Sequence, residues 1–596
     1  MPALNKRWTS SLSIAAVFLF CLVLLHNNSS PRALSLPRSR FSRSQCPITP
    51  PSPAYTRSNP DEGFSWRDIP VRFPVTNLIS LPTDKPRTLP SIQARFSTPA
   101  TLERETLRKS RQSAIKATFE RSWQSYEKHA WKADELRPIS GGSRNNFGGW
   151  GATLVDNLDT LLIMDMHEEF ERAVAALLDV DFSPHSSSQS TINVFETTIR
   201  YLGGFIAAYD LSGCSDTRLL DKAVQIADMI YASFDTPNRM PVTRWNPHKA
   251  AGGETQPPAA NGIIAELASS SLELTRLSQL TGDMRYFDAI SRITDTLDAQ
   301  ADKTRVPGMW PVGIDVQKPD LTRSSTFSFG GMADSAYEYL PKEFQLLAGA
   351  GSASGSGSGS GRAQQYRHLA ENALTAGSEY LLFRPMVPDH ADILLPGIGH
   401  ATARNEVQLE TRSEHLACFV GGMYALAGKL FPDSKADFLA TGKKLTDGCI
   451  WFYRNSPLGI MPEMFSVSQC PRRTECVWDD TQEDVYTYVR DKYYKLRPEA
   501  LESVFYMWRI TGDEMYREAA WEMFEAIDAI TKTKFANAAV RDVTADKKDV
   551  EMEDSMESFW MAETLKYLYL IFSEPELVSL DEFVFNTEAH PFRIPR

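Results

Sequence analysis

GIIAELASSSLELTRLSQLTGD, residues 262–283, decides the fold class of this chain. Its apolar side chains return at three- and four-residue intervals, Ile264 to Leu267 and Ala268, then Leu274 to Leu277, which is the spacing of one face of an α-helix. The run stops at Gly282, which suits the left-handed position that ends a helix, and Asp283 can cap the next one. The same punctuation occurs in LSGC (211–214) and ITGD (510–513), each followed by another amphipathic run. Segments such as LESVFYMWRI (501–510) and FWMAETLKYLYLIF (559–572) repeat the helical spacing, and strand-like alternation is scarce. The pattern predicts an all-α protein of helical hairpins. The hairpin signals lie 69 and then 230 residues apart, too irregular for a solenoid but suited to helix pairs around a closed ring with insertions.

Composition narrows the partners. The chain has 596 residues, 42% hydrophobic and 11% aromatic, and is globular over most of its length. Residues 1–105 hold 13 Lys and Arg against 6 Asp and Glu, and residues 106–596 hold 50 against 69. An acidic body argues against a nucleic-acid partner, which needs clustered cations. Residues 1–9 read as a cytoplasmic tail and 10–26 as a signal anchor, with a cleaved signal peptide as the alternative. Residues 27–105, rich in Pro, Ser and Arg, read as an extended stem. Residues 106–596 read as the body, with a flexible Gly/Ser loop at 349–363. Seven cysteines in a chain directed to an oxidising lumen suit disulfides, whose connectivity the sequence leaves open.

The chemistry lies in carboxylates set among apolar residues. NVFETTIR places Glu196 four residues before Arg200, GIIAELASS carries Glu266, and GGMADSAYEYL carries Asp334 and Glu338 on one helical face. LRPEALESVFYMW carries Arg497, Glu499 and Glu502; MESFWMAETLKYL carries Glu557 and Glu563; FNTEAHP carries Thr587, Glu588 and His590. On a straight helix Glu557 and Glu563 would diverge by about 120°, so both cannot face one pocket. Any one of these acids suits the polar face of a helix. Together they would repel one another unless a cation, water or sugar hydroxyls stood between them. A carboxylate-lined, aromatic-rimmed pocket suits glycoside hydrolysis. No GxSxG, HExxH, P-loop or dinucleotide motif competes with it.

These motifs, with AWKADELRP, FGGWGATLVDNLDTLLIMDM, ELTRLSQLTGD, EHLACFVGG and LDEFVFNTEAHP, resemble glycoside hydrolase family 47, the class I alpha-1,2-mannosidases, over residues 106–596. The resemblance implies an (α/α)7 barrel with a C-terminal β-hairpin plugging one end, and calcium bound at Thr587. It implies Glu196 as general acid, Asp334 as the second residue considered for that role, and Glu499 as general base in an inverting reaction. It places Arg200, Glu266, His415, Arg497, Glu502, Glu563 and Glu588 around the sugar, Phe559 against the terminal mannose, and a disulfide between Cys418 and Cys449. The implied substrates are high-mannose N-glycans, the implied state a monomer, and the implied location the Golgi or endoplasmic reticulum membrane, single-pass type II, with the body in the lumen. Met332 stands where members restricted to one mannose carry Arg, which points to the broader Golgi or fungal type. The alternative is a degradation-enhancing, mannosidase-like glycan-recognition protein. A local bond between Cys470 and Cys476 is a further expectation.

Overall fold

The computed structural model describes residues 46, 64–82, 89–96, 101–347 and 361–595. The expected anchor at 10–26 and most of the Gly/Ser loop lie outside them; among the described residues no helix is long and apolar enough to cross a membrane.

Among the described residues, fourteen helices build the ring: α1 (Leu102–His129), α2 (Leu158–Ile163), α3 (His167–Leu178), α4 (Gly203–Leu211), α5 (Thr217–Ala232), α6 (Ser271–Thr281), α7 (Met284–Ala301), α8 (Asp334–Leu346), α9 (Arg362–Tyr380), α10 (Val420–Leu430), α11 (Phe438–Asn455), α12 (Glu499–Thr511), α13 (Glu514–Thr531) and α14 (Leu565–Ile571). They pair as α2–α3, α4–α5, α6–α7, α8–α9, α10–α11, α12–α13 and α14–α1. The even-numbered members touch in order from α2 to α14, and Lys566 on α14 closes the circle with a 2.8 Å ion pair to Asp159 on α2. This is an (α/α)7 barrel.

The sequence sorts the two layers. Every residue of α2, α4, α6 and α14 is buried, because an inner helix packs against both its neighbours and its outer partner. Outer helices bury a single stripe; α7 buries Tyr286, Phe287, Ile290, Ile293 and Leu297. Gly282 and Gly512 take left-handed conformations, with φ of 75° and 69°, and the Asp283 and Asp513 side chains cap α7 and α13. The 211–214 turn works differently: Gly213 and Cys214 both have positive φ, and Asp216 caps α5.

Two features depart from the sequence reading. Residues 64–82 and 89–96, read as stem, lie on the barrel. Trp66 and Ile92 are buried, Trp66 Nε1 donates to the Phe182 carbonyl at 2.7 Å, and Ile92 N donates to Asp581 Oδ1 at 2.6 Å. Isolated aromatic and aliphatic residues in a Pro-rich segment show no periodicity, yet each can be buried against the barrel surface. Helix α1 also begins at Leu102, ahead of the expected boundary at 106, with Thr101 as its cap. The second departure is a set of short strands between the hairpins, including a sheet of Arg412–Glu414, Met464–Val467 and Tyr486–Asp491. Strands of three to six residues are too short to show alternation. At the C-terminus β1 (Phe583–Phe585) and β2 (Pro591–Arg593) form a buried antiparallel hairpin.

Disulfides join Cys418 to Cys449, Cys470 to Cys476 and Cys46 to Cys214. The last ties the segment before the barrel to the turn after α4.

Candidate active site

Three of the singled-out acids stand where helical segments start. Asn193 accepts hydrogen bonds from the amides of Phe195 and Glu196, so Glu196 sits in the first turn of the run leading into α4. Asp334 is the first residue of α8 and Glu499 the first of α12, where Pro498 precedes it. Helix N-termini favour negative charge, and a proline there forfeits no helical hydrogen bond. Two wider π turns, Thr197–Leu202 and Trp560–Thr564, carry Arg200 and Glu563. Such turns shift the side chains that follow and are frequent at functional sites.

Arg200 organises one side. Its Nε donates to Glu196 Oε2 and its Nη1 to Glu588 Oε2, both at 2.8 Å, and Nη1 also reaches Ser558 Oγ at 3.2 Å. Its guanidinium lies over the Phe147 ring, 4.6 Å from the centroid. Burial pushes the Glu588 carboxyl up to about 8 despite the Arg200 charge, with Asp156 and Glu196 adding to the rise. The Glu563 carboxyl is pushed well above its ordinary value by burial, then by Glu588 and Glu499.

Opposite, burial alone would raise Glu499, but the contact with His415 and the charge of Arg497 outweigh it and hold the carboxyl below its ordinary value. His415 Nδ1 is 3.4 Å from Glu499 Oε2, and its Nε2 pairs with Tyr453 Oη at 2.6 Å. Arg497 donates to Glu463 Oε2 at 2.6 Å and stands 3.5 Å from Glu499 Oε1. One turn on, Glu502 lies 3.6 Å from Lys342, which also pairs with Glu338; burial lifts Glu502 to about 8, with Glu338 and Glu499 contributing. Asp334 is pushed up to about 7 by burial, even though the Ser335 amide donates to it at 2.7 Å. Glu338 and Glu414 add to that rise.

The mutual influences link Asp334, Glu338, Glu502, Glu499, Glu563, Glu588 and Glu196 into one set, against the cations Arg200, Lys342 and Arg497. Like charges in excess within a buried space favour a bound cation. Thr587 adjoins this set at the tip of the β1–β2 hairpin, partly exposed between the buried Asn586 and Glu588. The donors are oxygens throughout, which suits a hard divalent ion.

The remaining predicted residues are more peripheral. Glu266 pairs with Arg244 at 2.5 Å, on a turn that lies against the one carrying Glu196. Phe559 is half-buried beside Ser558. Glu557 lies ahead of the helical turn that begins at Trp560, so the straight-helix divergence does not apply; it stands 3.8 Å from Arg144.

Several supporting residues escaped the sequence reading. Asn586 holds the hairpin tip through four hydrogen bonds: its Nδ2 donates to the Ile199 carbonyl and Glu273, and its Oδ1 accepts from the amides of Glu588 and His590. His590 pairs with Asp159 at 2.9 Å. Lys342 was legible as the partner four residues after Glu338; Glu273, inside an apolar run, offered no comparable signal.

The sequence profile described as Glycosyl hydrolase family 47 matches residues 118–594. The chain is 34% identical over 498 residues to mannosyl-oligosaccharide 1,2-alpha-mannosidase MNS1 of Arabidopsis thaliana, covering 82% of this chain and 79% of that protein. It is 33% identical over 513 residues to mannosyl-oligosaccharide alpha-1,2-mannosidase of Coccidioides posadasii, covering 81% of this chain and 91% of that one. The solved alpha-1,2-mannosidase from Trichoderma reesei matches with a TM-score of 0.71 and 29% identity, over 82% of this chain and 99% of that one.

Proposed function

The chain belongs to glycosyl hydrolase family 47, and from that membership we propose that it removes terminal α-1,2-linked mannose from high-mannose N-glycans. In this reading the hydrolysis is calcium-dependent and inverting. It takes place in the secretory lumen, at the Golgi or endoplasmic reticulum membrane. The observation that carries the proposal is the single buried set of carboxylates, in excess over its cations, gathered beside Thr587.

Glu499 is the base. Its charge is held by His415 and Arg497 while burial keeps bulk water away, so it can take a proton from a water molecule as the water oxygen bonds to the anomeric carbon. As the glycosidic bond breaks, the leaving oxygen needs a proton. Asp334, lifted to about 7, holds one in about half the molecules at neutral pH; Glu196, anchored by Arg200, is the alternative donor, acting through a water. Arg200, Arg497, Glu502, Glu563 and Glu588 surround the sugar, with Phe559 offering a half-buried face to its ring. Calcium would be held by the Thr587 hydroxyl and carbonyl, with water and sugar hydroxyls; when bound it lowers the pKa of coordinated water and orients it.

Incubating the full chain with a nine-mannose glycan in calcium tests this. Free mannose should appear first as the β-anomer by NMR, and Glu499→Gln should slow release by about 100- to 10,000-fold. Glycan bound but uncut, release as the α-anomer, or full activity in Glu499→Gln contradicts the proposal.

A further inference from the structure

Beside the catalytic acids lies an open cavity of roughly 760 Å³. Met332, two residues before Asp334, and Glu414, whose charge raises Asp334, both line it. Its wall also carries Arg412, Arg490, Lys492 and Arg541, in a body where acids outnumber bases. The two acids of the wall accept from backbone amides, Glu414 from Gly331 at 2.9 Å and Asp491 from Tyr493 at 3.1 Å. Arg412 pairs with Glu410 at 3.0 Å and Lys492 with Asp542 at 3.1 Å. The guanidinium groups of Arg490 and Arg541 are exposed and form no ion pair or hydrogen bond among the described residues.

A neutral mannose branch needs hydroxyl partners and leaves two unpaired guanidinium groups unused. A phosphate ester matches both the charge and the planar fork of a guanidinium. We propose that this cavity makes the protein favour glycans bearing a phosphate ester on a branch other than the one being cut, with Arg490 and Arg541 as the recognising groups. The inference rests on the mannosidase reading above. An acidic peptide near the glycosylated Asn could offer the same charge, but the cavity adjoins the catalytic acids, where the glycan itself enters.

The test compares kcat/KM of the full chain for a nine-mannose glycan, for the same glycan with one phosphomonoester on an uncut branch, and for a neutral glycan on an Asp/Glu-rich peptide. At low salt the phosphorylated glycan should be preferred about tenfold over the other two, and the gap should close near 0.5 M salt, where screening shortens to a few Å. In the double variant Arg490→Glu, Arg541→Glu the ratio of phosphorylated to neutral turnover should fall to about one or below, as expected when a rim field is reversed. Melting temperature and cleavage of the neutral glycan report that the variant is folded. No preference in the parent, a preference that survives in the variant or in high salt, or an equal gain from the acidic peptide overturns the inference and leaves the hydrolase reading standing. Failure to cut the neutral glycan at all removes both.

Discussion

Asp334 and Glu499 show how position sets the state of like groups. Both open inner helices and both are carboxylates, yet burial lifts one to about 7 while His415 and Arg497 hold the other down. Acid and base roles need this separation. The pH dependence follows with its sign. Below about 7 Asp334 keeps its proton, so kcat should fall as pH rises through that value. The acid limb, set by Glu499, should lie below the ordinary carboxylate range. Asp334→Asn should therefore lower kcat about 100-fold or more and flatten the alkaline limb of the pH–rate profile. An alkaline limb unchanged in that variant would assign the proton to Glu196 instead.

At the scale of elements, the site depends on how closely α4 meets the β1–β2 hairpin. A Cβ at Gly203 would stand 2.7 Å from Asn586 Nδ2 and 2.9 Å from His590 Cδ2. Neither neighbour can yield, because Asn586 is fixed by its four hydrogen bonds and His590 by Asp159. Gly203→Ala should cost about 1–3 kcal/mol of stability, as overpacking of a core does, and should weaken the calcium binding proposed at Thr587 by displacing that residue. Thermal melts with and without calcium measure both effects; a calcium-induced shift equal to that of the parent would show that the tip tolerates the methyl group. Residues 64–82 and 89–96 belong to this scale too. They lie ahead of the family match at 118–594, yet they bury Trp66 and Ile92 against the barrel, and Cys46, also ahead of the match, is bonded to Cys214.

For the whole molecule, closing seven hairpins into a ring gathers acids from the turns before α4 and α14, from α8 and α12, and from the hairpin tip into one space, which the fold must keep tolerable. Without a cation, Asp334 and Glu502 titrate near 7 and 8 in the folded protein, against ordinary values of 3.8 and 4.5. Above those ordinary values the unfolded chain loses protons that the folded one retains, so their contribution to stability is complete at low pH and lost as pH rises toward 8. In chelator the melting temperature should therefore fall from pH 5 to 8. Millimolar calcium, binding only the folded form, should raise it most at the alkaline end. Melting curves indifferent to both pH and chelation would contradict the cation-bound reading. The sequence by itself determined the helical hairpins and singled out the carboxylates, because helical periodicity, glycine stops and aspartate caps are local, and because carboxylates among apolar residues stand out wherever they lie. It could not announce Glu273, Asn586 or Asp159 as supports of the tip, the docking of residues 64–82 and 89–96, or the partner of Cys214. Those depend on which distant surfaces come within a few ångströms once the ring closes, and a partner far away in the chain leaves no periodic trace around a residue.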